Sequence, residues 1–259
     1  MSQETVLITG ASSGIGRELA SLFAADGSQL VLVARREDRL QQLASELESK
    51  HGTKSIVIAA DLSQPESSER VFSTLQEQGV EVDVLVNNAG FGQLGRFAEI
   101  DLQRQLNMIQ VNVAALVHLT RKFLPGMIER KRGAILNLGS TASFQPGPNV
   151  AVYYATKAFV LSFSEAISEE VSSSGVTVTC LCPGPTITEF GEDSKMHDTP
   201  VFQHNAMTVE AVAKAGYKAL RRKKRLVIPG VVNNLLATSV RFTPRGVLLK
   251  VMTMLQPLK

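Results

Sequence analysis

The chain predicts a doubly wound α/β fold, a parallel sheet flanked by helices on both faces. Three observations carry this. Short β-rich runs alternate with amphipathic helical segments along most of the length. Most of the runs are continuously apolar, as strands are when helices cover both faces of a sheet. The first run also passes through a glycine-rich turn directly into a helical segment. Such sheets are wound with right-handed crossovers. Their ligands bind beyond the carboxyl ends of the strands, at the topological switch.

In chain order, strands are predicted over 5–9, 30–34, 55–60, 82–86, 134–138 and 176–181, with a last short one at 226–228. Helices are predicted over 14–25, 37–50, 66–78, 102–130, 151–173 and 209–220. The second helix places Leu40, Leu43 and Leu47 on one face, and its opening Glu37 and Asp38 suit the positive end of a helix dipole. The run from Arg221 to Arg225 closes the 209–220 helix, where cations are favoured, and reads first as a solvated turn.

No Pro/Ser-rich linker, low-complexity block or internal repeat divides the 259 residues, so one domain over 1–259 is expected. A 44% hydrophobic content suffices for a sizeable core. A net charge of +3, with no aromatics interleaved in a basic stripe, argues against nucleic acid. The polar opening Met1-Ser2-Gln3-Glu4-Thr5 reads as no signal peptide, and no run of about 18 apolar residues predicts a spanning helix. Cys180 and Cys182 fit neither a framework disulfide nor a Cys-x-x-Cys site and are expected as buried reduced thiols on one side of a strand. A cytoplasmic protein is the consequence. The four histidines have no metal-ligand spacing, so no metal is expected.

The glycine-rich turn reads Thr9-Gly10-Ala11-Ser12-Ser13-Gly14-Ile15-Gly16. Glycines let the backbone turn tightly and approach a ligand, and the following helix offers free N–H groups to a phosphate. The spacing is Gly-x-x-x-Gly-x-Gly, not Gly-x-Gly-x-x-Gly. At the end of the second strand, where an acid would bond the ribose hydroxyls of NAD, the chain has Arg35-Arg36. Guanidinium groups suit the 2′-phosphate of NADP, with Ser12, Ser13 and Arg17 as further donors nearby.

Tyr153 and Lys157 stand four apart in a helical stretch, so phenol and ammonium share a face. A nearby cation lowers the pKa of a phenol, which would let the pair move a proton at neutral pH. Tyr154, three residues from Lys157, leaves the identity of the phenol open on spacing alone.

Together these motifs resemble the short-chain dehydrogenase/reductase family in its single-domain branch, over roughly residues 5–190 and the strand near 226. The Gly10, Gly14 and Gly16 turn resembles the family's cofactor turn. Asp61-Leu62 after the third strand corresponds to the adenine-binding position. Asn87-Asn88-Ala89-Gly90 after the fourth corresponds to the motif that steadies the sheet along the cofactor. Asn112, Ser140 and Tyr153-x-x-x-Lys157 follow in the family's order, then Pro183, Gly184, Thr186 and Thr188 beside the nicotinamide.

The resemblance implies a Rossmann-type fold, NADP(H) as cofactor, and hydride transfer to or from a small carbonyl or alcohol substrate. It favours Tyr153 as the acid/base. It gives Ser140 the substrate oxygen and Lys157 both the Tyr153 proton and the nicotinamide ribose, with Asn112 holding a water behind Lys157. It makes 187–207, with Ile187, Phe190, Met196, Pro200, Val201 and Phe202, a lid over an apolar substrate. It implies a homodimer or homotetramer through the helices over 102–130 and 151–173. The extension over 231–259 could cover the domain, build a subunit interface or lie on a membrane surface, in that order of preference. The competing function is a non-catalytic NADP-sensing or scaffold protein on the same fold.

Overall fold

The computed structural model describes residues 3–197, 199–200 and 206–258. Seven parallel strands form one sheet in the order β3-β2-β1-β4-β5-β6-β7. They are β1 (Thr5–Thr9), β2 (Gln29–Ala34), β3 (Ser55–Ala59), β4 (Val84–Asn87), β5 (Gly133–Leu138), β6 (Val176–Leu181) and β7 (Leu226–Val227). The chain winds outward from β1 to β3, returns to the other side of β1, and winds away to β7. The switch therefore lies between β1 and β4.

Period-two alternation in the strands divides the core into two layers. Val6, Ile8, Leu30 and Leu32 pack with Leu19 and Phe23 of α1 (Gly14–Ala25), Leu40, Leu43 and Leu47 of α2 (Glu37–His51), and Val212 and Leu220 of α8 (Val209–Arg221). Leu7, Val31 and Val33 point the other way, toward Val71 and Leu75 of α3 (Ser67–Glu77) and Leu119 and Phe123 of α5 (Leu116–Glu129). The Rossmann-like doubly wound sheet expected from the sequence is thus present.

Three features depart from the expected elements. The helix predicted over 102–130 is α4 (Leu102–Ile109), a π-helical segment Gln110–Ala115, and α5. The wider π turn carries Asn112, and such segments often mark functional sites. The segment expected as a lid, 187–207, contains a short helix, α7 (Glu189–Asp193), while Val201, Phe202 and His204 lie outside the described residues, as do Met1, Ser2 and Lys259. After α6 (Ala151–Glu170) and β7, the extension forms α9 (Val231–Ser239) and α10 (Arg245–Leu255). No described helix is long and apolar enough to cross a membrane.

Candidate active site

A cleft of about 480 Å³ opens at the carboxyl ends of the strands, over the β1/β4 switch. Of the expected cofactor and catalytic residues, Gly16, Arg17 and Asn112 do not line it, and Arg17 pairs instead with Glu46. The floor of the cleft is built by the first turn. Gly10 has φ 65°, a left-handed conformation that suits glycine. At Gly16 a Cβ would meet the carbonyl oxygen of Gly10 and Asn88 Nδ2, each at 2.4 Å, so only glycine lets α1 approach the turn. Ser13 caps α1 without a side-chain bond, and no acid stands in the first turn, so these N–H groups face the cleft unneutralised.

Asn88 and Thr9 stitch the turn to β4. Asn88 Nδ2 donates to the carbonyls of Thr9 (2.9 Å) and Gly10 (3.1 Å). Thr9 Oγ1 accepts from the backbone N–H groups of Asn88 and Ala89, both at 3.0 Å. Below it a buried polar ladder crosses the sheet: Asn87 Nδ2 donates to Asn137 Oδ1 at 2.9 Å, and Asn137 Nδ2 donates to Ser164 Oγ at 2.9 Å.

One end of the cleft is cationic. Arg36 Nη2 donates to Ser13 Oγ (3.2 Å) and Ser12 Oγ (3.3 Å), while its Nη1 pairs with Glu189 at 2.9 Å. Arg39 Nη1 pairs with the other Glu189 oxygen at 2.6 Å. Arg39 and Arg36 together hold the Glu189 carboxyl below the usual range. The Glu189 carboxylate is therefore held by two guanidiniums, one of which also bonds the hydroxyls of Ser12 and Ser13. Arg35 is exposed and lines the cleft. Neither Arg39 nor Glu189 was expected. Arg39 was legible as one helical turn beyond Arg36; Glu189 carried no sequence signal.

The other end holds Ser140, Tyr153 and Lys157. Ser140 caps a short 3₁₀ turn, Thr141–Phe144, accepting from Ala142 N at 3.1 Å. Its side chain faces the same end of the cleft as Tyr153 and pulls the phenol's pKa downward. Burial pushes the Tyr153 phenol up to about 12, against that pull. Lys157 Nζ donates to the Leu138 carbonyl at 2.7 Å and lies 5.8 Å from the Tyr153 ring centroid. Burial lowers the Lys157 ammonium to about 8. The expected lowering of the phenol by Lys157 is absent from this arrangement, because desolvation dominates and the ammonium is turned to the strand end.

Tyr154 points elsewhere. Its hydroxyl bonds Gln256 Nε2, just past α10, and its ring fills the space over Gly147. The Asn112 side chain is committed too. Nδ2 donates to the Phe91 carbonyl and Thr156 Oγ1, and Oδ1 accepts from Phe91 N, all at 3.0 Å. It clamps the segment after β4 onto α6, one residue from Lys157.

An apolar wall closes this end. The Phe190 ring lies 5.4 Å from that of Tyr153, and Met196, Met108, Phe91 and Leu94 join the same cluster. Met252 and Leu248 of α10 complete it. Pro183, Gly184, Thr186 and Thr188 form the opposite rim, where Asn233 of α9 packs so closely on Gly184 that a Cβ would sit 2.5 Å away.

A family model described as short chain dehydrogenase matches residues 4–198. The chain is 37% identical over 190 residues to a short chain dehydrogenase of Pseudocercospora fijiensis, covering 73% of this chain and 61% of that protein. It is 39% identical over 181 residues to the very-long-chain 3-oxoacyl-CoA reductase of Phaeosphaeria nodorum, covering 68% and 52%. The match thus spans between about half and two thirds of the length of these curated relatives. Among solved structures, a short-chain dehydrogenase from Sphingobium yanoikuyae in complex with NADPH is 34% identical, with a TM-score of 0.84 over 95% of both chains.

Proposed function

This chain belongs to the short-chain dehydrogenase/reductase family of oxidoreductases, and from that premise we propose that it transfers hydride between NADP(H) and a carbonyl or secondary alcohol on an apolar substrate. One observation carries the reading. Ser140 and Tyr153 face one end of a continuous cleft whose other end already binds a carboxylate through Arg36 and Arg39.

The residues fit the cofactor. A glycine turn with unneutralised N–H groups suits the diphosphate, and the anion site at Arg36 suits the 2′-phosphate. Asp61, Leu62, Pro183, Gly184, Thr186 and Thr188 line the same cleft, where the first two would face the adenine and the others the nicotinamide. The nicotinamide, when bound, supplies or accepts the hydride.

The chain's own work is proton placement. In reduction, the neutral Tyr153 phenol gives its proton to the carbonyl oxygen, which becomes the alcohol. Ser140 Oγ holds that oxygen in place. Lys157, charged below about 8, stabilises the phenolate left behind and would hold the ribose of a bound nicotinamide. Asn112 acts through position, holding Phe91 and α6 so that Lys157 stays under Tyr153. Phe190 and Met196 exclude water above the reacting oxygen and favour an apolar substrate, as does the fatty substrate in the name of the Phaeosphaeria relative.

The test is a panel of ketones and 3-oxoacyl thioesters with NADPH, followed by loss of cofactor absorbance. Turnover by the wild type, abolished in Tyr153→Phe, is expected. Tight NADPH binding with no turnover of any carbonyl would favour a cofactor-sensing protein instead.

A further inference from the structure

We infer that α9 and α10 form a platform that docks on the surface of a bilayer carrying anionic lipids, placing the mouth of the cleft at the lipid interface. The inference rests on the surface of the extension and not on the proposed reaction.

Both helices spend their periodicity twice. In α9, Asn233 and Ala237 face the body, one turn apart. In α10, Met252 is the buried residue, with Leu248 packed beside it and Gln256 following the helix. These contacts hold the helices against Gly184, Tyr153 and Tyr154. A second apolar stripe faces away. In α9 it is Val231, Val232, Leu235 and Leu236; in α10 it is Val247, Val251, Met254 and Leu255. Phe242, between the helices, is 83% exposed. Ten of the 17 exposed large hydrophobic side chains among the described residues fall between 231 and 255, so this is not ordinary scatter.

The charges on this surface have one sign. Arg241, Arg245 and Lys250 are exposed and make no ion pair among the described residues, and no Asp or Glu occurs after Glu210. The preceding basic run belongs elsewhere, since Arg221 pairs with Glu4 and Arg225 with Glu169 at the far end of the sheet. An apolar stripe with cations and no acids is the composition of a helix lying in a headgroup region. A second copy fits less well. A two-fold contact would set this face against itself, bringing like charges together. The helices, at 9 and 11 residues, lie on a bilayer and do not span it. Because Met252 and Leu248 are also the wall beside Tyr153, the docked face and the substrate end share one helix.

The experiment uses the full chain with sucrose-loaded vesicles of phosphatidylcholine alone or mixed with phosphatidylserine, and sedimentation velocity for its mass in solution. Co-sedimentation with the anionic vesicles, weakened by salt, is expected. Arg241→Gln, Arg245→Gln and Lys250→Gln together should lower partitioning by about a hundredfold, at roughly fivefold per cation. Leu235→Ser, Leu236→Ser and Phe242→Ser together should abolish it and leave the solution mass unchanged. Circular dichroism establishes that each variant is folded. Absence of binding by the wild type, equal binding to neutral vesicles, or no loss in the folded variants would overturn the inference. Conversion of an oligomer to a monomer by the apolar substitutions would overturn it too, and would make the face a subunit interface.

Discussion

The ammonium of Lys157 donates at 2.7 Å to the carbonyl of Leu138, the last residue of β5. This bond ties the helix that carries Tyr153 to the end of a central strand. It also keeps a cation buried, and burial lowers it to about 8. The unfolded chain, with the ordinary lysine value near 10.5, binds more protons between those two values. Folding stability therefore rises with pH across that window, and the cost of the buried charge is fully present below it. At about 1.4 kcal/mol per pKa unit, the wild type should gain about 3 kcal/mol on Lys157→Met between the two limits. Denaturant unfolding of both proteins across that range measures it. Parallel curves would mean that Lys157 titrates like a surface lysine.

Tyr153 and Tyr154 should separate cleanly on substitution. Tyr153→Phe removes the proposed proton donor and should lower kcat by about 10²–10⁴-fold with the fold intact. Tyr154→Phe removes only the bond to Gln256 and should cost about 0.5–1.5 kcal/mol of stability, loosening α10. Its kcat should stay within a few-fold of wild type. A dead Tyr154→Phe beside an active Tyr153→Phe would reverse the proposed assignment.

The fold was legible because its signals are local. Six apolar runs and the glycine turn mark the strands and the first crossover, and β1 and β6 fall where the periodicity puts them. The chemistry around Ser140, Tyr153 and Lys157 was legible only as joint spacing, since each residue alone is ordinary. What escaped depends on contacts distant in sequence. Nothing near Glu189 announces that it crosses 153 positions to reach Arg36. Nothing near Gln256 points to Tyr154. The π segment was hidden because Asn112 fits a helical pattern, and its wider turn is visible only beside Phe91 and Thr156. The resemblance implied a water held by Asn112 behind Lys157; the side-chain amide of Asn112 bonds Phe91 and Thr156.

Self-association is expected through α4 and α6. Leu102, Leu106 and Ile109 are exposed on α4, and Phe159 on α6 stacks on Phe163 with rings 5.7 Å apart. A two-fold contact over these faces would brace the helix holding Tyr153 and Lys157. Light scattering at micromolar concentration should give a dimer or tetramer, and Leu106→Arg with Ile109→Arg should reduce it to the monomer mass. A wild type that stays monomeric on concentration would refute this.

Glu189 sets the last prediction. Its carboxylate bridges Arg36 and Arg39, the cations proposed for the 2′-phosphate, so NADPH must displace it. All three side chains are roughly two-fifths exposed, and ion pairs of that kind contribute about 0–1 kcal/mol. Glu189→Gln should therefore tighten NADPH by at most about fivefold and leave NADH unchanged. Arg36→Ala should act in the opposite sense. Losing a charge-assisted contact to phosphate costs about 1.5–3 kcal/mol, so NADPH binding should weaken roughly ten- to a hundredfold while NADH holds. Calorimetric titration of both cofactors on the three proteins separates the cases. Arg36→Ala weakening both cofactors equally, or a wild type preferring NADH, would remove the 2′-phosphate from this site. Weaker NADPH binding in Glu189→Gln would show that the carboxylate is no competitor but a latch that holds the lid over the bound cofactor.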